Sequence, residues 1–198
     1  MTETGINTSN PLKGKRIPGT VGQALPGTIA KIVDDTGKIV HPGETGNLQV
    51  KGDNVFSGYW NMPEKTAEDF TSDGFFNTGD KAVIDKEGYI SIVGRSKDMI
   101  ISGGLNIYPR EIELVIDQIP EVIESAVIGT ADHDFGEKVV AVVVSRDNRL
   151  STQKILDACR QKLASFKSPK MVHFLDELPR NAMGKVQKNL LREQFSDN

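Results

Sequence analysis

The chain has 198 residues, 37% of them apolar and 26% charged, so a packed core is expected and wholesale disorder is excluded. No apolar run approaches the ~20 residues that a membrane-spanning helix needs. A single cysteine, Cys159, excludes an intrachain disulfide and a cysteine-based zinc site. The net charge of −3 is unevenly spread: residues 1–148 carry −8, residues 149–193 carry +6, and Asp197 supplies the rest. A basic C-terminal segment suits nucleic acid, an acidic partner or a phosphorylated small molecule, and equally the solvated face of a helix. The start, Met1-Thr2-Glu3-Thr4-Gly5, lacks the basic flank and apolar stretch of a signal peptide, and a reducing, cytoplasmic setting is expected.

Residues 20–97 read as short strands and turns. Thr28–Val33 is apolar and β-branched, and Asp34-Asp35-Thr36-Gly37 closes it. Leu48 and Val50 alternate within Gly46–Val50. Ala82–Ile84 and Tyr89–Val93 flank the turn Asp85-Lys86-Glu87-Gly88, which signals a hairpin. This half is expected to form a small, mostly antiparallel β-barrel or sheet.

After residue 97 the pattern changes. Pro109 suits the first position of a helix, where its missing N–H would be unpaired anyway. Ile112, Val115, Ile116 and Ile119 then recur at helical spacing until Pro120 stops the run. Val122–Ile128 and Lys138–Val144 read as buried strands. Ser151 can cap a second helix with Ile155, Leu156, Cys159 and Leu163 on its apolar face. Met171–Leu175 reads as a further strand, and Leu190 and Leu191 fall in a short final helix. The fold class is α+β, a β-barrel-like subdomain followed by an α+β unit with helices on a sheet.

Walker and Rossmann glycine loops, metal-type histidine spacing and a G-x-S-x-G elbow are all absent. Three polar, glycine-rich stretches remain. In Asn77-Thr78-Gly79-Asp80, Gly79 allows close backbone approach and Asp80 can accept from vicinal hydroxyls; alone it also reads as a plain turn. Gly94-Arg95-Ser96-Lys97-Asp98, followed by Ser102-Gly103-Gly104-Leu105-Asn106-Ile107-Tyr108-Pro109-Arg110-Glu111, carries a strong oxygen-binding donor in Arg95 and equally suits an interdomain linker. Leu178-Pro179-Arg180-Asn181-Ala182-Met183-Gly184-Lys185 delivers Lys185 on a glycine turn, as an anion clamp or an ordinary surface lysine.

Taken in order and spacing, Thr-Gly-Asp, Gly-Arg-x-Lys-Asp, Gly-Gly-x-Asn-x-Tyr-Pro-x-Glu-Ile-Glu and Pro-Arg-Asn-x-x-Gly-Lys resemble the acyl-adenylate-forming enzymes. The resemblance runs over essentially the whole chain. Met1-Thr2-Glu3 resembles the end of that family's aromatic-Gly-x-Thr-Glu motif, and the family's Ser/Thr/Gly-rich phosphate loop is not in the sequence. The resemblance therefore implies a C-terminal portion, with residues 1–97 as the last β-rich subdomain of the large domain and 98–198 as the mobile small domain.

It further implies an ATP-dependent acid–CoA ligase that forms acyl-AMP and then a thioester. Its partners would be a small carboxylate, ATP, CoA and the N-terminal portion of the same enzyme, with no nucleic acid and no membrane span. Lys185 would be catalytic and touch ATP; Thr2, Asp80 and Arg95 would bind ATP or AMP; Glu3 would help to hold Mg²⁺. Asp98 would be the hinge. Gly103, Gly104 and Leu105 would line the pantetheine path, and Arg110, Lys167 or Lys170 would meet CoA phosphates. Gly58-Tyr59-Trp60-Asn61-Met62-Pro63-Glu64-Lys65-Thr66 and the Lys185 stretch look most like malonyl-CoA synthetases, with medium- or long-chain fatty acyl-CoA synthetases as the neighbouring reading. An inert fragment, or a module that only binds nucleotide or CoA, is the alternative. Cys159, on an apolar stripe, is expected to be a core thiol, and His133 structural or solvent-exposed.

Overall fold

The computed structural model describes residues 1–147 and 149–196; Asp197, counted in the charge above, lies outside the described residues. The chain divides into two compact units, Met1–Ser96 and a second beginning at Lys97.

The first unit opens with β1 (Thr8–Ser9) paired with β2 (Gln23–Ala24). It continues with β3 (Thr28–Val33), β4 (Thr45–Gly52), a short helix α1 (Pro63–Asp69), β5 (Phe76–Ile84) and β6 (Ile90–Arg95). Strands β3-β4-β5-β6 form an antiparallel sheet in chain order. Among the described residues the two outer strands, β3 and β6, do not pair, so the sheet stays open and no barrel closes. Ile32, Leu48, Val50, Phe76, Ala82 and Ile90 are buried together as its core. Helix α1 buries none of its residues, and Pro63 at its first turn is its clearest sequence mark.

Thr78-Gly79-Asp80 lies inside β5, which corrects the reading of that stretch as a plain turn. Gly79 has φ of +73°, and the β5–β6 register shifts just beyond it, between Lys81 and Ala82. A strand can hold that left-handed residue because glycine has no Cβ to clash.

The second unit contains β7 (Ile100–Ser102), β8 (Leu105–Ile107), α2 (Pro109–Ile116), β9 (Val122–Asp132), β10 (Gly136–Ser145), α3 (Thr152–Lys162), β11 (Met171–Leu175) and α4 (Lys188–Phe195). Strand β10 is central. It pairs antiparallel with β9 and, across the α3 crossover, parallel with β11.

Successive β10 side chains go to opposite faces. Val139, Ala141 and Val143 pack with Ile112, Ile116, Ile155 and Cys159 of α2 and α3. Val140, Val142 and Val144 pack with Leu178 and with Leu191 and Phe195 of α4. Both faces are covered, which is why this strand reads as one continuous apolar run.

Ser151 caps α3 as expected, its side chain accepting from the Lys154 N–H. Helix α2 ends earlier than the apolar pattern does. Ile119 lies past Asp117, in a turn closed by its N–H to the Ile116 carbonyl, because a residue before proline resists helical geometry.

Candidate functional site

In the first unit, β5 and β6 place Asp80 and Arg95 as direct cross-strand partners. The Arg95 Nε sits 2.9 Å from Asp80 Oδ1, and its Nη1 donates to the Thr78 carbonyl at 3.0 Å. Thr78 is buried, donates its hydroxyl to the Leu48 carbonyl and accepts from the Asp80 N–H. Burial pushes the Asp80 carboxyl above its ordinary range, and the Arg95 charge, the Thr78 hydroxyl and the Met1 amino group pull it back. Asp80 thus presents a held carboxylate beside a cation, a suitable acceptor for vicinal hydroxyls. Next to this pair, buried Gln49 donates to the Asn77 side chain at 2.8 Å, locking the start of the Thr-Gly-Asp segment. Sequence reasoning gave Gln49 no role.

The chain start is also tied into this unit. Thr2 is exposed in the first turn. The Glu3 carbonyl accepts from Phe56 N–H at 2.8 Å, and Tyr59 Oη donates to Glu3 Oε1 at 3.4 Å. Burial, then the Glu3 charge, raises the Tyr59 phenol. Among the described residues no group of three or more His, Cys, Asp and Glu is placed to hold a metal. A lone carboxylate of this kind fits Mg²⁺ only together with substrate phosphates, the usual habit of that ion.

In the second unit, Lys185 sits at the end of a tight turn between Arg180 and Val186, which form a single β-bridge. The Asn181 side-chain oxygen accepts from the N–H groups of Met183 at 3.0 Å and Lys185 at 2.9 Å. The backbone closes the same loop, Asn181 N–H to the Lys185 carbonyl and Gly184 N–H to the Asn181 carbonyl, each at 2.9 Å. Gly184 takes φ of +77°, which only glycine holds without strain. The Lys185 ammonium itself has no side-chain partner among the described residues. A fixed backbone carrying a free cation is a ready donor for a developing negative charge.

Asp98 lies in the turn Ser96–Asp98 and accepts from Arg192 of α4 at 3.0 Å. Lys97, Asp98, Asn181, Lys185, Lys188 and Arg192 line one cavity of about 650 Å³. Lys188 is neutralised at 2.6 Å by the buried Glu113 of α2, which also accepts from the Val127 N–H.

The remaining expected residues are spread out. Gly103 and Gly104 form the two-residue turn of the β7–β8 hairpin, with φ of +57° and +76°, and Leu105 begins β8. Arg110 is half exposed and faces Glu113 on its own helix and Asp117 just past its end, each at 4.0 Å. Lys167 is paired with Glu111 at 2.7 Å, and Lys170 lies over the Phe135 ring. His133 is exposed beside Asp134. Cys159 is buried, its thiol pushed up to about 11 by desolvation, so it is no nucleophile at neutral pH.

Comparison with known proteins places this arrangement. The AMP-binding enzyme model matches residues 1–60, and the AMP-binding enzyme C-terminal domain model matches residues 111–185, together more than half of the chain. The chain belongs to the AMP-binding enzyme family. It is similar to an indoleacetate–CoA ligase of Aromatoleum aromaticum, with 46% identity over 92% of this chain and 36% of the relative. A long-chain-fatty-acid–CoA ligase of Escherichia coli is 44% identical over 89% of this chain and 31% of its own length. The crystal structure of ATP-bound MatB from Rhodopseudomonas palustris matches all of this chain and 40% of that one, with 55% identity and a TM-score of 0.93. The chain therefore spans between about a third and two-fifths of the length of these relatives.

Proposed function

We propose that this chain supplies the ribose grip, the hinge and the reactive lysine of an AMP-forming acid–CoA ligase. The observation that carries the reading is Lys185, an ammonium unpaired among the described residues, on a turn locked by Asn181 and Gly184, in a chain that matches the family across both units.

In the first half-reaction a carboxylate oxygen attacks the α-phosphorus of ATP, and pyrophosphate leaves with the bonding electrons. Negative charge grows on the phosphoryl oxygens, where a positioned cation lowers the barrier. Lys185 supplies that cation. Asp80 accepts from the ribose hydroxyls, with Arg95 holding its orientation. Thr2 contacts the α-phosphate, and Glu3 contributes one carboxylate to Mg²⁺. In the second half-reaction the CoA thiol displaces AMP. Asp98 marks the pivot between the two half-reactions, and the Gly103-Gly104-Leu105 turn and Arg110 approach CoA.

A small diacid of the malonate class is the acid we favour. Support comes from residues 58–66 and the Lys185 stretch, which look most like malonyl-CoA synthetases, while identity to the long-chain ligases is 42–46%. The Ser/Thr/Gly-rich phosphate loop of the family is not among these residues, so residues 1–198 by themselves are expected to catalyse nothing.

The test is carboxylate-dependent exchange of labelled pyrophosphate into ATP. The expected result is no exchange by residues 1–198 alone, and exchange with malonate exceeding that with palmitate in the complete ligase. Exchange by residues 1–198 alone, or a preference for palmitate, overturns the corresponding part of the proposal. Asp98→Pro should impair one half-reaction selectively, because proline fixes φ and removes a donor.

A further inference from the structure

The Lys185 turn is internally rigid, yet its own hydrogen bonds do not fix it to the body that carries it. Val186 seats the base of the turn against the core of β9, β10 and α4, and Arg180 ties its tip to β9. Arg180 donates Nη1 to the Gly184 carbonyl at 2.6 Å, one residue before Lys185. Its Nη2 pairs with the Glu124 carboxylate on β9, 56 residues away in sequence. Strand β9 pairs with central β10, and Glu124 stands opposite Val144 in that ladder, beside a bulge. The guanidinium is planar and forked, so it holds both acceptors at fixed angles, whereas a lysine ammonium carries its three donors at a single point on a flexible stem. Both partners are partly exposed, so the pair adds little to stability. Its consequence is geometric.

We infer that Arg180 and Glu124 are positioning residues for Lys185, a strap that anchors the lysine turn to β9 so that the ammonium meets the reacting oxygens at one orientation. This rests on the role proposed for Lys185. Removing the strap leaves the turn closed by Asn181 but free to pivot about its base, and small misplacements of a reacting group cost rate steeply. The loss falls on the turnover of the step that uses Lys185 and not on substrate binding, which other residues provide.

The experiment uses the complete ligase and measures pyrophosphate exchange, and thioester formation from preformed acyl-AMP, for Glu124→Ala, Glu124→Gln, Arg180→Lys and Lys185→Ala. For Glu124→Ala and Arg180→Lys, the exchange kcat should fall roughly 10- to 100-fold with the KM for ATP unchanged within about twofold. Thioester formation should be unchanged. Glu124→Gln keeps an acceptor oxygen and should recover most of the exchange rate. If Lys185→Ala abolishes exchange while Glu124→Ala and Arg180→Lys leave it intact, the strap is wrong and the lysine assignment stands. If Lys185→Ala leaves exchange intact, the assignment beneath it fails first. Equal losses in both half-reactions, or a raised KM for ATP, show a structural role and overturn the inference.

Discussion

Arg95 and Lys185 are both cations placed beside a glycine-containing turn or bulge, yet the two units treat them differently. Arg95 is bonded to Asp80 at 2.9 Å and to the Thr78 carbonyl at 3.0 Å, so its charge is already engaged. Lys185 has a fixed backbone and, among the described residues, a free ammonium. A paired, partly buried site keeps its shape without a ligand and suits an uncharged group such as a ribose hydroxyl. A free cation on a stiff turn keeps its full charge for a group that becomes anionic only during reaction. On this account one unit recognises the nucleotide and the other lowers the barrier.

Removing the free cation should have the largest effect. Lys185→Ala in the complete ligase is expected to slow carboxylate-dependent pyrophosphate exchange by about 10²- to 10³-fold, while thioester formation from preformed acyl-AMP changes little. Equal losses in both would make Lys185 structural and erase the contrast between the units.

The next effect is on the fold that supports Lys185. Glu113 is buried and satisfied by Lys188 and the Val127 N–H. Lys188→Met leaves that buried carboxylate with only Arg110, 4.0 Å away, and denaturant unfolding should show a loss of about 3 kcal/mol. A much smaller loss would mean that water reaches Glu113.

Changing the paired site should act on affinity and spare stability. Asp80→Asn is expected to raise the KM for ATP roughly tenfold, since a charge-assisted hydrogen bond is lost. The Asp80 carboxyl is raised in the folded chain, so its stabilising contribution is present below the ordinary carboxylate range and lost as pH rises through its folded value. At pH 7 the ionised group therefore helps the fold little, and Asp80→Asn should unfold no earlier than the parent. Early unfolding would make the pair a structural brace.

The smallest effect lies away from both sites. Asp73 is held down to about 2 by Lys31 and Thr71, so it stabilises the fold above pH 3.8 and stops doing so as pH falls toward 2. Asp73→Asn should flatten the loss of stability across that window and leave exchange untouched.

Local pattern made much of this legible. Thr28–Val33 and Met171–Leu175 are strands with the bounds read from the sequence, and Ser151 caps its helix because capping is a contact over three residues. The open form of the first sheet was not legible, since closure depends on whether β3 and β6 meet, and no local pattern encodes that. Helix α1 buries nothing and so leaves no apolar stripe to read. In the site, the glycines, Asp80, Arg95 and Lys185 stood out through residue type and order. Their supports did not. Glu113 with Lys188, Asp98 with Arg192 and Glu124 with Arg180 join residues 56 to 94 positions apart, and only the folded chain brings them together.

The division of labour between the units is tested most directly by titrating AMP into the complete ligase carrying Asp80→Ala or Lys185→Ala, alongside pyrophosphate exchange. The account predicts that Asp80→Ala weakens AMP binding roughly tenfold or more, whereas Lys185→Ala binds AMP as the parent does and still loses exchange. AMP affinity lost with Lys185→Ala and kept with Asp80→Ala would contradict it.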